Sequence, residues 1–307
     1  VTIAYRSNSR FTRGRSYIPD IHVIAGMPRS GTSFLYHNLQ KNPSAFLPHR
    51  KELNYFSMNY GRGKDWYLSF FRNAGNGRSC FDISPGYFLS KEAAGRMKDS
   101  GLVRKVVLGV RRPVDFVLSL YLHIGDMGFN RPPLKDFIRS YRAKDGDREM
   151  SFSLSGDAIL RSIREYQFIF NNDIMLYDFE HFRNDRLSVL REIESFTGLR
   201  PYFNKDNFAD RCINSASRRR SRLLDRILAR EKTRDIICGM FPGSFLKKLR
   251  NMADIFNSPE KAADIRGFYA EDDVAMAEEM LSGQDDEIKK LFNGRGIIRG
   301  DITLFDP

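Results

Sequence analysis

The 307-residue sequence is poor in the features that mark several common protein classes. Its three cysteines, Cys80, Cys212 and Cys238, lie far apart and form no CxxC pair. Neither a structural zinc site nor a dense disulfide framework is therefore expected, while a single Cys212–Cys238 bridge stays open. The five histidines form no cluster with metal-ligand spacing, so no metal is expected. No apolar run approaches the roughly 20 residues needed to span a bilayer, and no stable membrane insertion is expected. The opening stretch, VTIAYRSNSRFTRGRSY, contains no signal-peptide core. An Asn-x-Ser/Thr acceptor with a non-proline middle residue is also missing, which favours a cytoplasmic over a glycosylated secretory protein. Internal repeats and low-complexity linkers are absent.

What is present is an ordinary globular mixture, 41% hydrophobic and 29% charged, which excludes a wholly disordered or collagen-like chain. Basic residues outnumber acidic ones by 50 to 38, a formal net charge of +12. That excess favours an anionic partner: nucleic acid, a nucleotide, an acidic polymer or a membrane surface. Charge alone does not choose among them.

Along the chain, residues 1–20 form an irregular basic segment. The apolar run Ile21–Ala25 stops at Gly26 and predicts a buried parallel strand. Gly26–Gly31 is a turn, and Phe34, Leu35 and Leu39 mark a helix over Thr32–Lys41. A second buried strand is predicted at Val103–Val110, followed by a helix from Pro113 to about Asp126. A third covers Asp173–Tyr177, between helices near 156–170 and 185–197. The last 90 residues read as helical, over 217–231, 266–281 and 284–292. Strands alternating with helices imply one α/β domain over 1–307, with a central, mostly parallel sheet covered on both faces and a helical C-terminal part. A polar insertion is expected at about 127–155.

The most informative stretch is Gly26-Met27-Pro28-Arg29-Ser30-Gly31-Thr32-Ser33, set between a strand and a helix. The glycines let the backbone curl, so that amides of residues 29–33 can face one anion at the positive end of the helix. Thr32 and Ser33 add hydroxyl donors. The glycine spacing matches an ATP-type P-loop, but the Lys that must follow the second Gly is replaced by Thr32. The cation is Arg29 instead, so an ATPase is disfavoured.

Pro28-Arg29-Ser30-Gly31-Thr32-Ser33 resembles the P-[KR]-[ST/A]-G-T-[ST] loop of sulfotransferases that use 3′-phosphoadenosine-5′-phosphosulfate (PAPS). The resemblance is closest to the branch holding the heparan sulfate enzymes and bacterial relatives. It implies a P-loop three-layer αβα fold, with the loop on the 5′-phosphosulfate and Arg29 neutralising charge on the sulfuryl group and the departing oxygen. The family's second signature is an Arg at a strand end, Pro two residues later and Ser eight residues after the Arg. Arg111, Pro113 and Ser119 stand in that register. Ligands bind beyond the carboxyl ends of such strands, and the resemblance puts Arg111 and Ser119 on the 3′-phosphate, with Arg112 as a rival. Further similarities are Lys51-Glu52-Leu53-Asn54-Tyr55-Phe56, Asp65-Trp66-Tyr67, Ser84-Pro85-Gly86-Tyr87, Tyr177-Asp178-Phe179-Glu180 and Phe268-Tyr269. Asn214-Ser215 with Arg218, Arg219 and Arg220 sits where relatives carry a basic loop over the nucleotide.

The resemblance implies a sulfuryl transfer from PAPS to an acceptor hydroxyl, less readily an amine, with PAP released. Such transfer needs in-line positioning, cations for the leaving phosphate and a base. Glu52 is the first choice of base, His123 the second, one helical turn beyond Ser119; His49 is a third candidate. Heparan-type relatives show E-K-[ST]-P-x-Y, where this chain has Ile83 in place of the Lys, so the helper role is either absent or supplied by another residue such as Lys51. The acceptor class is a hydroxyl-bearing glycan or small natural product, acidic if the remaining positive charge attracts it. Acceptor-facing loops are expected at 59–66 and 127–155, with Trp66, Tyr67 and Phe129 suited to stacking. Nucleic acid drops from the list of partners. Two other readings are a P-loop nucleotide or nucleoside kinase, and a non-catalytic polyanion-binding protein. A Golgi-lumenal catalytic domain separated from its anchor is the alternative to a cytoplasmic location.

Overall fold

Short apolar runs ending at glycine, proline or a charged residue build the centre of the molecule. The computed structural model describes residues 19–126, 131–145, 148–152, 154, 157–209 and 265–300. Its strands are β1 (Ile21–Ile24), β2 (Ala45–Phe46), β3 (Ser79–Ile83), β4 (Val103–Val110), β5 (Tyr141–Asp145), β6 (Arg148–Phe152), β7 (Ile174–Asp178) and β8 (Ile297–Arg299). The helices are α1 (Thr32–Leu39), α2 (Lys64–Ser69), α3 (Ala93–Ser100), α4 (Pro113–Asp126), α5 (Leu134–Arg139), α6 (Ala158–Phe170), α7 (Phe179–Asn184), α8 (Arg186–Thr197) and α9 (Glu271–Phe292).

Six strands form one sheet in the order β2-β3-β1-β4-β7-β8. All neighbours are parallel except β8, which runs antiparallel to β7. Alternation along β4 splits the core in two. Val106, Leu108 and Val110 face a cluster with Phe116 and Val117 of α4, Ile163 of α6 and Leu281 and Ile288 of α9. Val107 faces the opposite cluster with Phe34 and Leu35 of α1 and Leu190 and Ile193 of α8. Helices cover both faces, giving the expected three-layer α/β arrangement.

The structure departs from the sequence reading in several places. The two expected terminal helices are one, the 22-residue α9, which runs through Ser282-Gly283. A helical Gly costs roughly 1 kcal/mol against Ala, but the buried face continues past it through Gln284, Asp285, Ile288 and Leu291. The Gln284 amide also accepts from the Ile159 N–H at 3.1 Å and donates to the Leu154 carbonyl at 3.2 Å, pinning that turn. Strands β2, β3 and β8 carried too little apolar pattern to be read. The 127–155 insertion contains α5 and the antiparallel hairpin β5–β6. The basic segment 1–18, Phe129, the expected helix at 217–231, Cys212, Asn214, Ser215, Arg218, Arg219, Arg220 and Cys238 lie outside the described residues.

Candidate functional site

The loop grows directly out of the sheet. Past the end of β1 the ladder to β4 continues, with the Ala25 N–H on the Val107 carbonyl at 3.0 Å and the Met27 N–H on the Gly109 carbonyl at 2.8 Å. Met27-Pro28-Arg29-Ser30 then forms a turn closed by the Ser30 N–H on the Met27 carbonyl at 3.1 Å. Proline holds its second position, and the third, Arg29, has φ 70°. That pattern belongs to a type II turn, whose third position is normally Gly or Asn. A left-handed L-residue costs roughly 1–2 kcal/mol, so Arg29 occupies a place where glycine would sit more easily. Gly31, at φ 90°, opens α1 without a side-chain cap, leaving the positive end of the helix facing the loop.

Underneath, the packing leaves no spare volume. A Cβ on Gly26 would run into the backbone of Gly109, and one on Gly109 into the Tyr177 hydroxyl and Ser30 Oγ. A Cβ on Gly31 would enter the Phe182 ring. The Tyr177 hydroxyl, near the C-terminal end of β7, donates to the Ser30 carbonyl at 2.7 Å. One expectation is corrected here. Ser30 does not turn its amide towards an anion, because its N–H and its hydroxyl both go to the Met27 carbonyl. Thr32 is buried, whereas Pro28, Arg29, Gly31 and Ser33 are half-buried at the mouth of the loop.

Arg111, just past β4, spans this mouth. Its N–H meets Met27 Sδ at 3.1 Å, its Nη1 donates to the Arg29 carbonyl at 3.4 Å, and its guanidinium lies 4.7 Å from the Phe179 ring centre beyond β7. Arg112 points elsewhere and makes a two-pronged contact with Asp285 of α9, at 2.8 and 3.1 Å. Ser119 is buried on α4 and His123 is half-buried one turn further on. At 1.5 Å per residue, Ser119 lies roughly 9 Å and His123 roughly 15 Å along the helix from Pro113. The loop, Arg29 and Arg111 are thus gathered at one point, and His123 is carried along the helix away from it. His49 is exposed, with its carbonyl accepting from Tyr36 at 3.2 Å.

Glu52 stands beside the next strand over. Its carboxylate pairs with Lys51 Nζ at 2.9 Å; the lysine is 9% exposed and the glutamate 38%, so the acid is the member open to a substrate. The chain that follows Glu52 is tied to the end of β3. The Asn54 N–H donates to Ser84 Oγ at 3.1 Å and the Tyr55 N–H to the Tyr87 hydroxyl at 2.9 Å. Both hydroxyls donate in turn to Asp82, Ser84 to Oδ1 and Tyr87 to Oδ2, each at 2.6 Å. Tyr67 of α2 adds a third donor to Oδ2 at 3.1 Å. The Ser84 N–H reaches the Ile24 carbonyl at 3.2 Å, which places this network at the same sheet edge as the loop.

Asp82 is 1% exposed. Burial pushes its carboxyl up to about 6, against the pull of the Ser84, Tyr87 and Tyr67 hydroxyls; the nearby Glu52 charge adds to the rise. The sequence reading missed this group. Its signal was an Asp two residues before a Ser-Pro pair and five before a Tyr, where Asp82 precedes Ser84-Pro85 and Tyr87. Tyr67, expected to stack on an acceptor, is instead fully buried against Tyr55, with ring centres 4.5 Å apart. Trp66 is half-buried, and Arg62 lies 4.9 Å from its ring centre.

Among the described residues no helix is long and apolar enough to cross a membrane. The chain matches no protein-family model. It is similar to the membrane-associated sulfotransferase kil1 of Dictyostelium discoideum, 31% identical over 119 residues, 37% of this chain and 25% of that protein. It is also similar to the bifunctional heparan sulfate N-deacetylase/N-sulfotransferase 4 of Mus musculus, 27% identical over 202 residues, 61% of this chain and 23% of that protein. The chain spans about a quarter of the length of these relatives. Among solved structures, a sulfotransferase from Alicyclobacillus acidocaldarius aligns with a TM-score of 0.48 and 18% identity over 78% of this chain and 96% of that one. These sequence relatives are sulfotransferases, the family that the loop and the Arg-Pro-Ser register resemble.

Proposed function

We propose that the chain transfers a sulfuryl group from PAPS to a hydroxyl, in preference to an amine, of a glycan or a small natural product. The observation that carries this reading is Arg29, kept at φ 70° in the turn before α1 and faced by Arg111. A cation held in a conformation suited to glycine is worth its strain only if its charge is used there. The sulfotransferase relatives support the same reading.

The cradle suits a nucleotide with anionic groups at both ends. The uncapped start of α1 with Thr32 and Ser33 would hold the 5′ end, and Arg111 with Ser119 the 3′-phosphate. When bound, PAPS supplies a sulfuryl group already activated on a phosphate. Arg29 concentrates positive charge at the loop, where negative charge grows on the departing oxygen; such preorganised charge is strongest in a site closed to water. Glu52 takes the proton of the acceptor hydroxyl, and Lys51, paired with it at 2.9 Å, orients its carboxylate. Arg218 and Arg219 are proposed to bind the nucleotide, as the resemblance implies. An acidic acceptor fits the surplus of positive charge, and Ile83 in place of the heparan-type Lys favours an acceptor other than heparan sulfate.

Thermal stabilisation by adenosine-3′,5′-bisphosphate, by ADP with Mg²⁺ and by a sulfated polymer separates the readings. Stabilisation by the bisphosphate is expected; stabilisation by ADP with Mg²⁺ alone points to a kinase, and by the polymer alone to polyanion binding. Transfer of labelled sulfate from PAPS to an acceptor panel then identifies the substrate. Glu52→Gln is expected to remove most transfer while leaving bisphosphate affinity nearly intact, and normal turnover in that variant would refute its assignment as base.

A further inference from the structure

An ionised carboxylate only accepts hydrogen bonds. Asp82 therefore decides where three hydroxyl protons point: those of Ser84, Tyr87 and Tyr67 are all committed to it. With their protons turned inward, the oxygens of Ser84 and Tyr87 present lone pairs outward. Those lone pairs receive the N–H groups of Asn54 and Tyr55, the second and third residues after Glu52. The segment carrying Glu52 hangs on two hydroxyls whose orientation one buried acceptor sets. An asparagine at this place would offer Nδ2 as a donor to at least one of them, and that hydroxyl's own proton would lose its buried acceptor.

We propose that Asp82 is a positioning residue for Glu52: acting through Ser84 and Tyr87, it fixes the backbone at Asn54 and Tyr55 and so holds the Glu52–Lys51 pair where the acceptor gives up its proton. The proposal rests on the reading of Glu52 as the base. Asp82 itself is sealed beneath the segment and touches neither nucleotide nor acceptor, so its influence on the reaction passes through geometry alone.

The test reads release of adenosine-3′,5′-bisphosphate from PAPS, which counts acceptor sulfation and uncoupled hydrolysis alike, with kcat and the KM for PAPS taken separately. Asp82→Asn is expected to lower kcat on the order of a hundredfold, the usual cost of a small misplacement of a reacting group. The KM for PAPS is expected to stay within about twofold, because the loop and Arg111 are untouched. Ser84→Ala removes the Asn54 link and one of the three donors to Asp82 but keeps the buried carboxylate and the Tyr87–Tyr55 link, so its loss should be smaller, on the order of tenfold. The deciding measurement places both changes in the Glu52→Gln background. A residue that acts through Glu52 has nothing left to position there, so neither change should lower kcat further. Wild-type kcat in both single variants, or full additivity with Glu52→Gln, overturns the proposal. Wild-type kcat in Glu52→Gln overturns the assignment of the base instead, and the positioning role with it. If the melting curve shows that Asp82→Asn does not fold, Ser84→Ala alone and in the Glu52→Gln background decides the matter.

Discussion

Tyr177→Phe isolates what shapes the loop. The substitution removes one oxygen and leaves the ring in its buried place between Ser30 and Phe182. It deprives the Ser30 carbonyl of a donor at 2.7 Å in a region with no room for water to replace it. An acceptor stranded in this way costs about 1–3 kcal/mol. For a domain of this size each kcal/mol corresponds to about 2–4 °C in melting temperature. The loop carries a second penalty, because the Ser30 peptide is then free to rotate. If only 1 kcal/mol of that bond keeps the loop ready to bind, its loss lowers affinity for adenosine-3′,5′-bisphosphate about fivefold. The assay is calorimetric titration of the bisphosphate beside a melting curve, with Tyr166→Phe as the control. Tyr166 also donates to a buried carbonyl, that of Tyr87 at 3.2 Å, but stands away from the loop. Tyr166→Phe should lose stability and keep its affinity. Undiminished bisphosphate affinity in Tyr177→Phe, or an equal loss in Tyr166→Phe, would refute the claim that Tyr177 shapes the loop.

Two further outcomes can be checked. Arg29→Gly should abolish transfer without lowering the melting temperature, because relief of about 1–2 kcal/mol of left-handed strain offsets the added freedom of glycine in the unfolded chain; a clear fall in melting temperature would show that Arg29 is held for structural reasons. Asp82 also predicts a pH dependence of stability, measured by urea unfolding. Its carboxyl is raised from the usual 3.8 to about 6, chiefly by burial, so the folded state holds the proton more tightly than the unfolded one. Stability from this group is therefore greatest below about pH 4 and declines as pH rises to about 6, by roughly 3 kcal/mol in all. Asp82→Asn should flatten that part of the profile, and an unchanged slope would contradict the assignment.

The parts of the site legible in the sequence were those whose chemistry is local. A Pro-Arg-Ser-Gly-Thr turn between an apolar run and a helix, and an Arg-Arg-Pro step at the end of another, announce themselves within a dozen residues. The expected strands and helices around them are where the structure has them, shifted by a residue or so: Asp173–Tyr177 became Ile174–Asp178. The Asp82 network was legible only in part, because Ser84 and Tyr87 lie close to Asp82 in the sequence but Tyr67 and the Asn54–Tyr55 backbone are brought to it only by the fold. Strand β3, Ser-Cys-Phe-Asp-Ile, places an acid in the core, and a sequence pattern cannot show that three hydroxyls will receive it. The same holds for Tyr177, whose ring reads as ordinary strand filler until its hydroxyl is found on Ser30. In α9 the local signal of Ser282-Gly283 was outweighed by packing on both sides of it.

The continuation of the β1–β4 ladder into the loop, through Ala25 and Met27, bears on how the protein opens. Amides in a central strand pair exchange with solvent only when the whole domain unfolds, whereas most ligand-binding loops belong to the parts that open first. Here the proposed nucleotide cradle is a direct extension of a central strand pair. A donor bound in a cradle tied to that ladder is therefore expected to slow exchange across the central sheet as well as in the loop. A ligand at this place reports on the integrity of the whole domain.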